Sequence, residues 1–428
     1  MELFKYSATL AVTEIAAGNL TAEQYVSSCL ERIAARERDV HAWASVDPEF
    51  TLKQARERDR ESSRGALHGI PIGFKDIFDT VDFPTEYNSP IYKGNRPAWD
   101  ASCVALAKKS GGIVMGKTVT TEFAYRSPGA TRNPHNLAHT PGGSSSGSAE
   151  AVADFMVPIA FGTQTGGSIV RPASYCGVIG YKPSYNTINA AGVKPLAGSF
   201  DTVGLLARSV DDCALVVGVL AGDDRGVVPL EAVKPARVGV WRTPAWRHAE
   251  TATVRAVETA AQQLARNGVV VNDIELPPEF ELFLDAQSDV LRFEAARVFA
   301  FERTRRAELL APSSRDELAA GAAIPRYRYL EAQALIARCR VMFAAAMAPF
   351  DVLLSASAPG EAPAGLGNTG EAMFNRWTSG LHVPCLNVPG FRGPNGLPVG
   401  VQLIAALDDD ARLLRVAKWI ASRIGDEP

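Results

Sequence analysis

Apolar residues at helical spacing predict an amphipathic helix near the start of the chain. The tetrapeptide Thr-Ala-Glu-Gln at 21–24 is a capping box, in which the threonine hydroxyl and the glutamine side chain satisfy backbone donors at a helix start. The apolar positions that follow at helical spacing are Val26, Cys29, Leu30 and Ile33. We expect this helix to end among the charged residues 36–39.

Strands and helices alternate further along the chain. Residues 101–110 predict a helix that stops at two glycines, and residues 113–115 predict a short buried strand. A second set follows, with a strand at 237–241, a helical stripe, a helix C-cap at 267–268 and a strand at 269–271. The stripe consists of Val254, Val257, Ala261 and Leu264. This strand–helix–strand order favours an α/β fold with a sheet covered by helices.

The composition excludes several classes of protein. Of the 428 residues, 46% are hydrophobic and 21% are charged, which is ordinary for a globular enzyme. The formal net charge of -3 offers no basic surface for nucleic acid and no polybasic arm for a membrane. No apolar stretch reaches the roughly 18–20 residues of a membrane span, and the first residues lack a signal-peptide pattern. We expect a cytoplasmic protein with no nucleic-acid or membrane partner.

The cysteines and histidines give no sign of a metal site. Six cysteines are spread along the chain without a C-x-x-C pair, which argues against a disulfide framework or a zinc site and suits a reducing compartment. His135 and His139 are spaced like a metal-binding pair on a helix, but Pro134 and Pro141 bracket them and no glutamate follows the first histidine. We expect a loop there, no metal and no cofactor.

A segment rich in Gly, Ser, Thr and Pro, at residues 132–184, is the best candidate for a functional site. Small apolar residues are interleaved throughout it, whereas a disordered linker would have fewer apolar residues and more charge. Bare backbone amides are useful where a ligand must come close. We therefore expect this segment to line a site rather than to link domains.

Two common motifs can be tested on this segment. Residues 143–147 match the G-x-S-x-G nucleophile elbow, which would make Ser145 the nucleophile. That elbow needs a buried strand before it, and the preceding His-Thr-Pro-Gly at 139–142 is not one. A phosphate-binding loop would end in Lys-Ser or Lys-Thr, which the segment lacks. Neither motif fits its context.

A lysine and a later serine suggest different chemistry. Lys75 ends an apolar stretch, where loss of hydration would lower its pKa and let it act as a base near neutral pH. Ser168 follows two glycines, and backbone N–H groups of residues 165–167 can converge near it as an oxyanion hole. Taken by itself, Lys75 could equally be a solvated lysine at the end of a strand.

Together these segments resemble the amidase signature family. Lys75 and Ser144 are 69 residues apart, and Ser144 and Ser168 are 24 apart; both gaps look like those of the family. The segments that carry the resemblance are 69–79, 141–149, 163–172, 176–183, 383–389 and 396–402. The resemblance implies a large mixed, twisted β-sheet sandwiched by helices on both faces. It also implies a single domain over 1–428, with a catalytic core at about 60–220 and a C-terminal segment, 230–428, that completes the sheet and the pocket.

The resemblance also implies a mechanism. Neutral Lys75 would accept a proton through Ser144, which sits on a cis peptide bond in the family, while Ser168 attacks the amide carbonyl. The backbone N–H groups that would hold the oxyanion belong to Thr165, Gly166 and Gly167. Ser145, Ser146 and Ser148 would then be loop-stabilising hydroxyls. Asp76, beside the base, could tune it or cap a local turn.

Two positions depart from the commoner family pattern. Gln164 replaces the usual aspartate, and Val170 replaces the usual arginine, with Arg171 one position later. This version looks like the bacterial malonamidase branch, where that arginine is placed to meet a substrate carboxylate. The resemblance therefore implies substrate binding by Arg171 and Gln164, and a bidentate pair with an acid would suit Arg171. The alternative is that Arg171 pairs with an internal Asp or Glu.

The expected activity is hydrolysis of a small-molecule amide through a serine acyl-enzyme, for which a short acid monoamide is one candidate. The alternative is a glutamine-hydrolysing subunit of an amidotransferase assembly. A non-catalytic binding protein on the same scaffold is disfavoured because Lys75, Ser144 and Ser168 are all present. Residues 280–327 and 359–377 lie outside the motifs and are expected to shape the pocket. A homodimer is the commonest default for the oligomeric state.

Overall fold

A mixed β-sheet runs through the described part of the chain. The computed structural model describes residues 2–61, 65–222 and 229–425. The strands, in chain order, are β1 Trp43–Val46, β2 Pro71–Lys75, β3 Ile113–Thr118, β4 Ile159–Gln164, β5 Ile179–Lys182, β6 Thr202–Ala207, β7 Arg237–Val240, β8 Val270–Asp273, β9 Val352–Ala356, β10 Cys385–Arg392 and β11 Pro398–Ile404.

Helices precede, connect and follow these strands. The α-helices, in chain order, are α1 Ala8–Ala17, α2 Ala22–Val40, α3 Pro48–Arg60, α4 Ser102–Lys109, α5 Ser146–Ala153, α6 Val170–Cys176, α7 Val210–Ala221, α8 Thr251–Arg266, α9 Phe283–Val298, α10 Ala300–Arg305, α11 Pro312–Ala323, α12 Arg326–Met347, α13 Arg376–Gly380 and α14 Asp410–Ala421. Short 3-10 helices lie at Leu3–Lys5, Pro90–Tyr92, Glu122–Ala124, Pro244–His248, Pro278–Leu282 and Ala307–Leu309. Among the described residues, no helix has both the length and the apolar character needed to cross a bilayer.

The sheet has the strand order β1-β3-β2-β4-β6-β5-β10-β11-β9-β7-β8. β2 pairs in parallel with β3 and β4, and β7 pairs in parallel with β8 and β9. The strands between these groups pair antiparallel, and β10 joins β5, so both halves of the chain contribute to one sheet. The sheet is mixed and has helices packed against it, which confirms the expected fold class.

The first helix and the βαβ unit form as predicted, with small shifts at their ends. The capping box of Thr21 and Gln24 is present, and α2 runs one residue past the expected charges, to Val40. β7 and β8 are parallel neighbours, as the βαβ pattern required. The residues of α8 that are buried are Ala252, Thr253, Ala256, Val257, Ala260 and Leu264. Val254 and Ala261 are only half-buried, because small residues form the face that packs on β9 and β11.

Two parallel strands end together near the middle of the sheet. β2 ends at Lys75 and β4 ends at Gln164, and the two strands pair directly, with Phe74 opposite Phe161. The rings of these two phenylalanines stack with centroids 4.6 Å apart. Since parallel strands place their carboxyl ends at the same edge of a sheet, the lysine and the loop after β4 are brought to one place.

Candidate active site

Lys75 is held at the end of β2, beneath the surface. Its side chain is fully buried, and Nζ donates hydrogen bonds to Ser144 Oγ at 2.7 Å and to Thr163 Oγ1 at 3.0 Å. Thr163 lies on β4, the parallel neighbour of β2, so the sheet itself sets the second contact. Lys75 is therefore not the solvated strand-end lysine that its sequence position alone would allow.

Burial changes the acid–base behaviour of this lysine. It lowers the pKa of Lys75 from 10.5 to about 7, because a charged ammonium loses its hydration there. The carboxylate of Asp201 acts in the opposite direction by favouring the charged lysine. Burial also raises the pKa of Asp201 itself, to about 6. Near neutral pH a large share of Lys75 is uncharged and able to accept a proton.

Ser144 connects the lysine to the second serine-bearing segment. The peptide bond between Gly143 and Ser144 is cis, and the Ser144 side chain is almost fully buried. The backbone N–H of Ser145 donates to the carbonyl oxygen of Ser168 at 3.3 Å. The serine run and the loop that carries Ser168 are therefore in direct contact, although they are separated in the sequence by β4.

The loop between β4 and α6 presents unpaired backbone donors beside Ser168. Within the described residues, the backbone N–H groups of Thr165, Gly166, Gly167 and Ser168 donate to no other residue. Ser168 is half-buried. A Cβ on Gly167 would come within 2.6 Å of Asn375 Oδ1, so this position requires glycine. Free N–H groups next to a serine are what an oxyanion hole requires.

The side chain of Gln164 supports this loop from inside. It is fully buried, and its Oε1 accepts the backbone N–H groups of Ile169 at 3.0 Å and Val170 at 3.1 Å. Its Nε2 donates to Ser379 Oγ at 3.2 Å, and that hydroxyl in turn donates to the Gly166 carbonyl at 2.9 Å. Both ends of the amide are thus engaged by the protein, and the side chain fixes the start of α6.

Asp201 supports the other side of the same loop. Its carboxylate accepts the Thr165 hydroxyl at 2.5 Å and the backbone N–H groups of Leu196 and Ala197 at 2.8 and 3.0 Å. Gln287, on α9, donates to the Thr165 carbonyl at 3.3 Å. The loop is therefore held at its side chains and carbonyls, which leaves its N–H groups available.

Arg171 is buried and meets backbone carbonyls rather than an acid. It is 7% exposed, and its two terminal nitrogens donate to the carbonyls of Gly143 and Gly370, each at 2.5 Å. Within residues 2–61, 65–222 and 229–425 it forms no ion pair, so the alternative of an internal Asp or Glu partner is wrong. Burial lowers its pKa to about 10. The geometry makes Arg171 a clamp between the glycine before Ser144 and the 370 loop.

Asp76 points to a second buried lysine. Its carboxylate lies 3.0 Å from Lys117 Nζ and accepts the backbone N–H of Glu86 at 3.1 Å. Lys117 also donates to the Phe78 carbonyl at 2.8 Å and the Thr85 hydroxyl at 2.5 Å. The choice left open by the sequence falls to a local structural role, since the carboxylate is engaged by Lys117 and a turn.

The competing motifs fall into structural roles. No strand precedes Ser145, and its hydroxyl contacts the backbone of Thr163 on β4, at 3.3 and 3.4 Å. His135 and His139 lie in a loop, where their ring nitrogens contact the carbonyls of Cys176 at 2.9 Å and Ala362 at 2.8 Å. The context that argued against the elbow and the metal pair is therefore also the context found in the fold.

Several residues at the site carried no recognisable signal in the sequence. Thr163 and Asp201 were not singled out, because a threonine in an apolar strand and one acid before another strand are common. Arg376 lies in the segment 359–377 that was expected to shape the pocket, but nothing there marked the arginine itself. A cavity of about 260 Å³ lies beside the site, and Thr163, Thr165 and Asp201 are among its lining residues.

Comparison with known proteins gives a consistent picture. The model of the amidase family matches residues 24–414. The amidase-type subunit of the glutamyl-tRNA(Gln) amidotransferase of Syntrophomonas wolfei subsp. wolfei is 31% identical, over 97% of this chain and 96% of that protein. The native peptide amidase of Stenotrophomonas maltophilia superposes with a TM-score of 0.85 at 30% identity, covering 99% of this chain and 98% of that one.

A further solved structure is similar over nearly the whole chain. It is an inhibitor-bound vestigial protein complex, described for the evolutionary origins of an s-triazine catabolic enzyme. Its chain superposes with a TM-score of 0.91 at 27% identity, covering 98% of this chain and 100% of that one. The narrower likeness to malonamidases stays a prediction.

Proposed function

The chain belongs to the amidase family, and we propose that it hydrolyses a carboxylic amide through an acyl-enzyme on Ser168. The observation that carries the proposal is the 2.7 Å contact between Lys75 Nζ and Ser144 Oγ, in surroundings that lower the pKa of the lysine to about 7. A base must be uncharged to accept a proton, and burial supplies that condition without a histidine.

The first half of the reaction forms the acyl-enzyme. Lys75 takes the proton of Ser144, and Ser144 takes the proton of Ser168 as Ser168 Oγ attacks the carbonyl carbon. The negative charge that develops on the carbonyl oxygen is stabilised by the free backbone N–H groups of residues 165–168. The proton held by Lys75 returns through Ser144 to the leaving nitrogen, and the C–N bond breaks.

The second half releases the acid. A water molecule gives its proton through Ser144 to Lys75 and attacks the ester of Ser168. The same N–H groups stabilise the second tetrahedral intermediate. Its collapse returns the proton to Ser168 and frees the carboxylic acid.

Two physiological settings are open for this chemistry, and the curated relatives favour one of them. The relative from Syntrophomonas wolfei, matched over nearly its full length, belongs to an amidotransferase, which supports a glutamine-hydrolysing subunit that works with partner chains. The peptide amidase supports a second candidate, a small-molecule amide hydrolase. The first candidate has the better support. A homodimer and a cytoplasmic location stay predictions from the sequence.

The triad is tested by single substitutions. Ser168→Ala and Lys75→Ala should each reduce amide hydrolysis by at least about 1,000-fold, because they remove the nucleophile and its base. Ser146→Ala is the matched control, since this serine lies in the same run but its hydroxyl contacts only the Val119 carbonyl, at 3.3 Å. A fluorophosphonate probe should label wild type and the control at Ser168. Near-normal turnover by either triad variant would overturn the mechanism.

The setting is tested by the activity of the isolated chain. Ammonia release from glutamine and from a panel of small amides is measured, and copurifying proteins are identified after mild isolation. A glutamine-hydrolysing subunit should turn over glutamine weakly alone and gain activity with its partner. Robust hydrolysis of a small amide by the isolated chain, with no glutamine turnover, would exclude that setting.

A further inference from the structure

Arg376 packs against the loop that holds the free N–H groups. It is the first residue of α13, and its Cγ lies 3.7 Å from the position that a Cβ on Gly166 would occupy. Within the described residues, no other part of the fold approaches that position within 4 Å. The hydroxyl of Ser379, on the same helix, donates to the Gly166 carbonyl at 2.9 Å. The space in front of Gly166 is therefore bordered by the stem of Arg376.

The guanidinium of Arg376 has one polar partner in the protein. Nη1 donates to Ser288 Oγ at 3.0 Å, while a guanidinium carries five N–H donors. The residue is half-buried, and in the part of the chain that the structure describes it forms no ion pair. Burial lowers the pKa of Arg376, which shows that its charge is poorly compensated. An anionic ligand would supply what the protein does not.

The other charged groups near Arg376 are mostly positive. Arg126 and Arg292 act in the same direction as burial on its pKa, while Glu371 acts against them. Arg292 already holds Glu317 through contacts of 2.7 and 3.2 Å, and Arg126 shares that carboxylate at 3.3 Å. Glu371 is exposed. The balance of these groups leaves an excess of positive charge.

Arg171 is a weaker candidate for an anion. Its two terminal nitrogens are engaged by the carbonyls of Gly143 and Gly370, so a substrate would have to displace both contacts. Arg376 has unused donors, and its stem borders the loop itself. An amide whose carbonyl oxygen meets the N–H groups of residues 165–168 can extend its acyl chain past Gly166 toward the guanidinium.

We infer that Arg376 binds a carboxylate on the acyl part of the substrate, so that the enzyme prefers amides of short dicarboxylic acids. This inference rests on the proposed amide hydrolysis at Ser168. It reassigns to Arg376 the role that the sequence suggested for Arg171, and it is compatible with both settings, because glutamine also carries a carboxylate on its acyl part.

Matched pairs of amides test the inference. Succinamate is compared with butyramide, and glutaramate with pentanamide, so that each pair differs only in the terminal carboxylate. Arg376→Gln should lower kcat/KM for the carboxylate amides roughly 10- to 100-fold, mainly through KM, and leave the neutral amides nearly unchanged. Arg376→Lys should restore part of the preference. Glutamine is assayed beside glutaramate, and a preference for glutamine would assign the site to an amino acid amide.

Arg340→Gln is the control for a purely structural effect. This half-buried arginine donates to the Gly380 carbonyl at 2.9 Å, at the far end of α13, so its loss disturbs the same helix without removing the charge near Gly166. Glu371→Gln removes the nearby acid and should keep or increase the preference. Equal loss on charged and neutral amides in Arg376→Gln would overturn the inference.

A binding measurement separates this inference from the proposed function. Glutarate binding is measured by titration calorimetry in wild type, Arg376→Gln and Arg340→Gln. If binding depends on Arg376 but no amide is hydrolysed, the proposed function fails and the carboxylate site stands. If neutral amides are hydrolysed and glutarate binds equally to all three proteins or to none, the function stands and the carboxylate site is wrong.

Discussion

Lys75 Nζ and Ser144 Oγ are 2.7 Å apart, in a site where both side chains are almost fully shielded from water. The contact joins the end of β2 to a serine that follows a cis peptide bond. A proton can pass directly between these atoms, and the environment decides which of them holds it. Burial favours the neutral amine, and Asp201 favours the charged one. The chemistry therefore depends on the balance between these two effects.

The first prediction concerns the pH dependence of hydrolysis. The pKa of Lys75 is lowered to about 7, and the lysine is a base only when it is deprotonated, above that value. We expect kcat/KM to fall as pH decreases through about 7 and to level off above it. Initial rates on a neutral amide between pH 5 and 9 measure this. A flat profile over that range would contradict the assignment of Lys75 as the base.

Asp201→Asn tests the opposing charge. Removing the carboxylate removes the group that favours the protonated lysine, so the acid limb of the profile should move to lower pH. Asp79→Asn is the control, because Asp79 is close to Lys75 in sequence but is engaged by Tyr87, at 3.3 Å. The control should leave the limb in place. An unchanged limb in Asp201→Asn would show that its charge does not reach the lysine.

The second prediction concerns the buried pair of Asp76 and Lys117. Removing one member leaves the other charge buried without its partner, so Asp76→Ala should lower the free energy of unfolding by about 3–5 kcal/mol. Asp82→Ala is the control, because Asp82 pairs with Lys108 at 2.8 Å in a more exposed position and should cost about 1 kcal/mol or less. Denaturant unfolding measures both, and equal costs would argue against a structural role for Asp76.

The third prediction concerns Arg171. Its guanidinium joins the carbonyls of Gly143 and Gly370, so Arg171→Ala should loosen the approach to Ser144 whatever the substrate. We expect kcat to fall roughly 10-fold or more, and to the same degree, on amides with and without a second carboxylate. The assay uses the same matched pairs of amides. A loss confined to the carboxylate amides would instead support the role that the sequence suggested.

Some features were predictable because their physical causes are local. The capping box at Thr21 and Gln24 depends on side chains that reach backbone groups within one turn. The βαβ unit follows from periodicity in adjacent segments. The rejection of Ser145 as an elbow also used only the residues before it, and its hydroxyl proves to contact β4. The buried face of α8 was less predictable, because it depends on what packs against it.

By itself, the sequence determined the segments that carry the chemistry and the order in which they occur. Lys75, Ser144 and Ser168 could be named because small residues and unusual polar groups are conspicuous in an apolar chain. Only the tertiary structure decided what surrounds them. The parallel pairing of β2 with β4 brings Lys75 to Thr163, and packing turns Arg171 inward and leaves Arg376 beside Gly166. Such contacts join residues far apart in sequence, and burial there sets charge and pKa, so no local pattern can encode them.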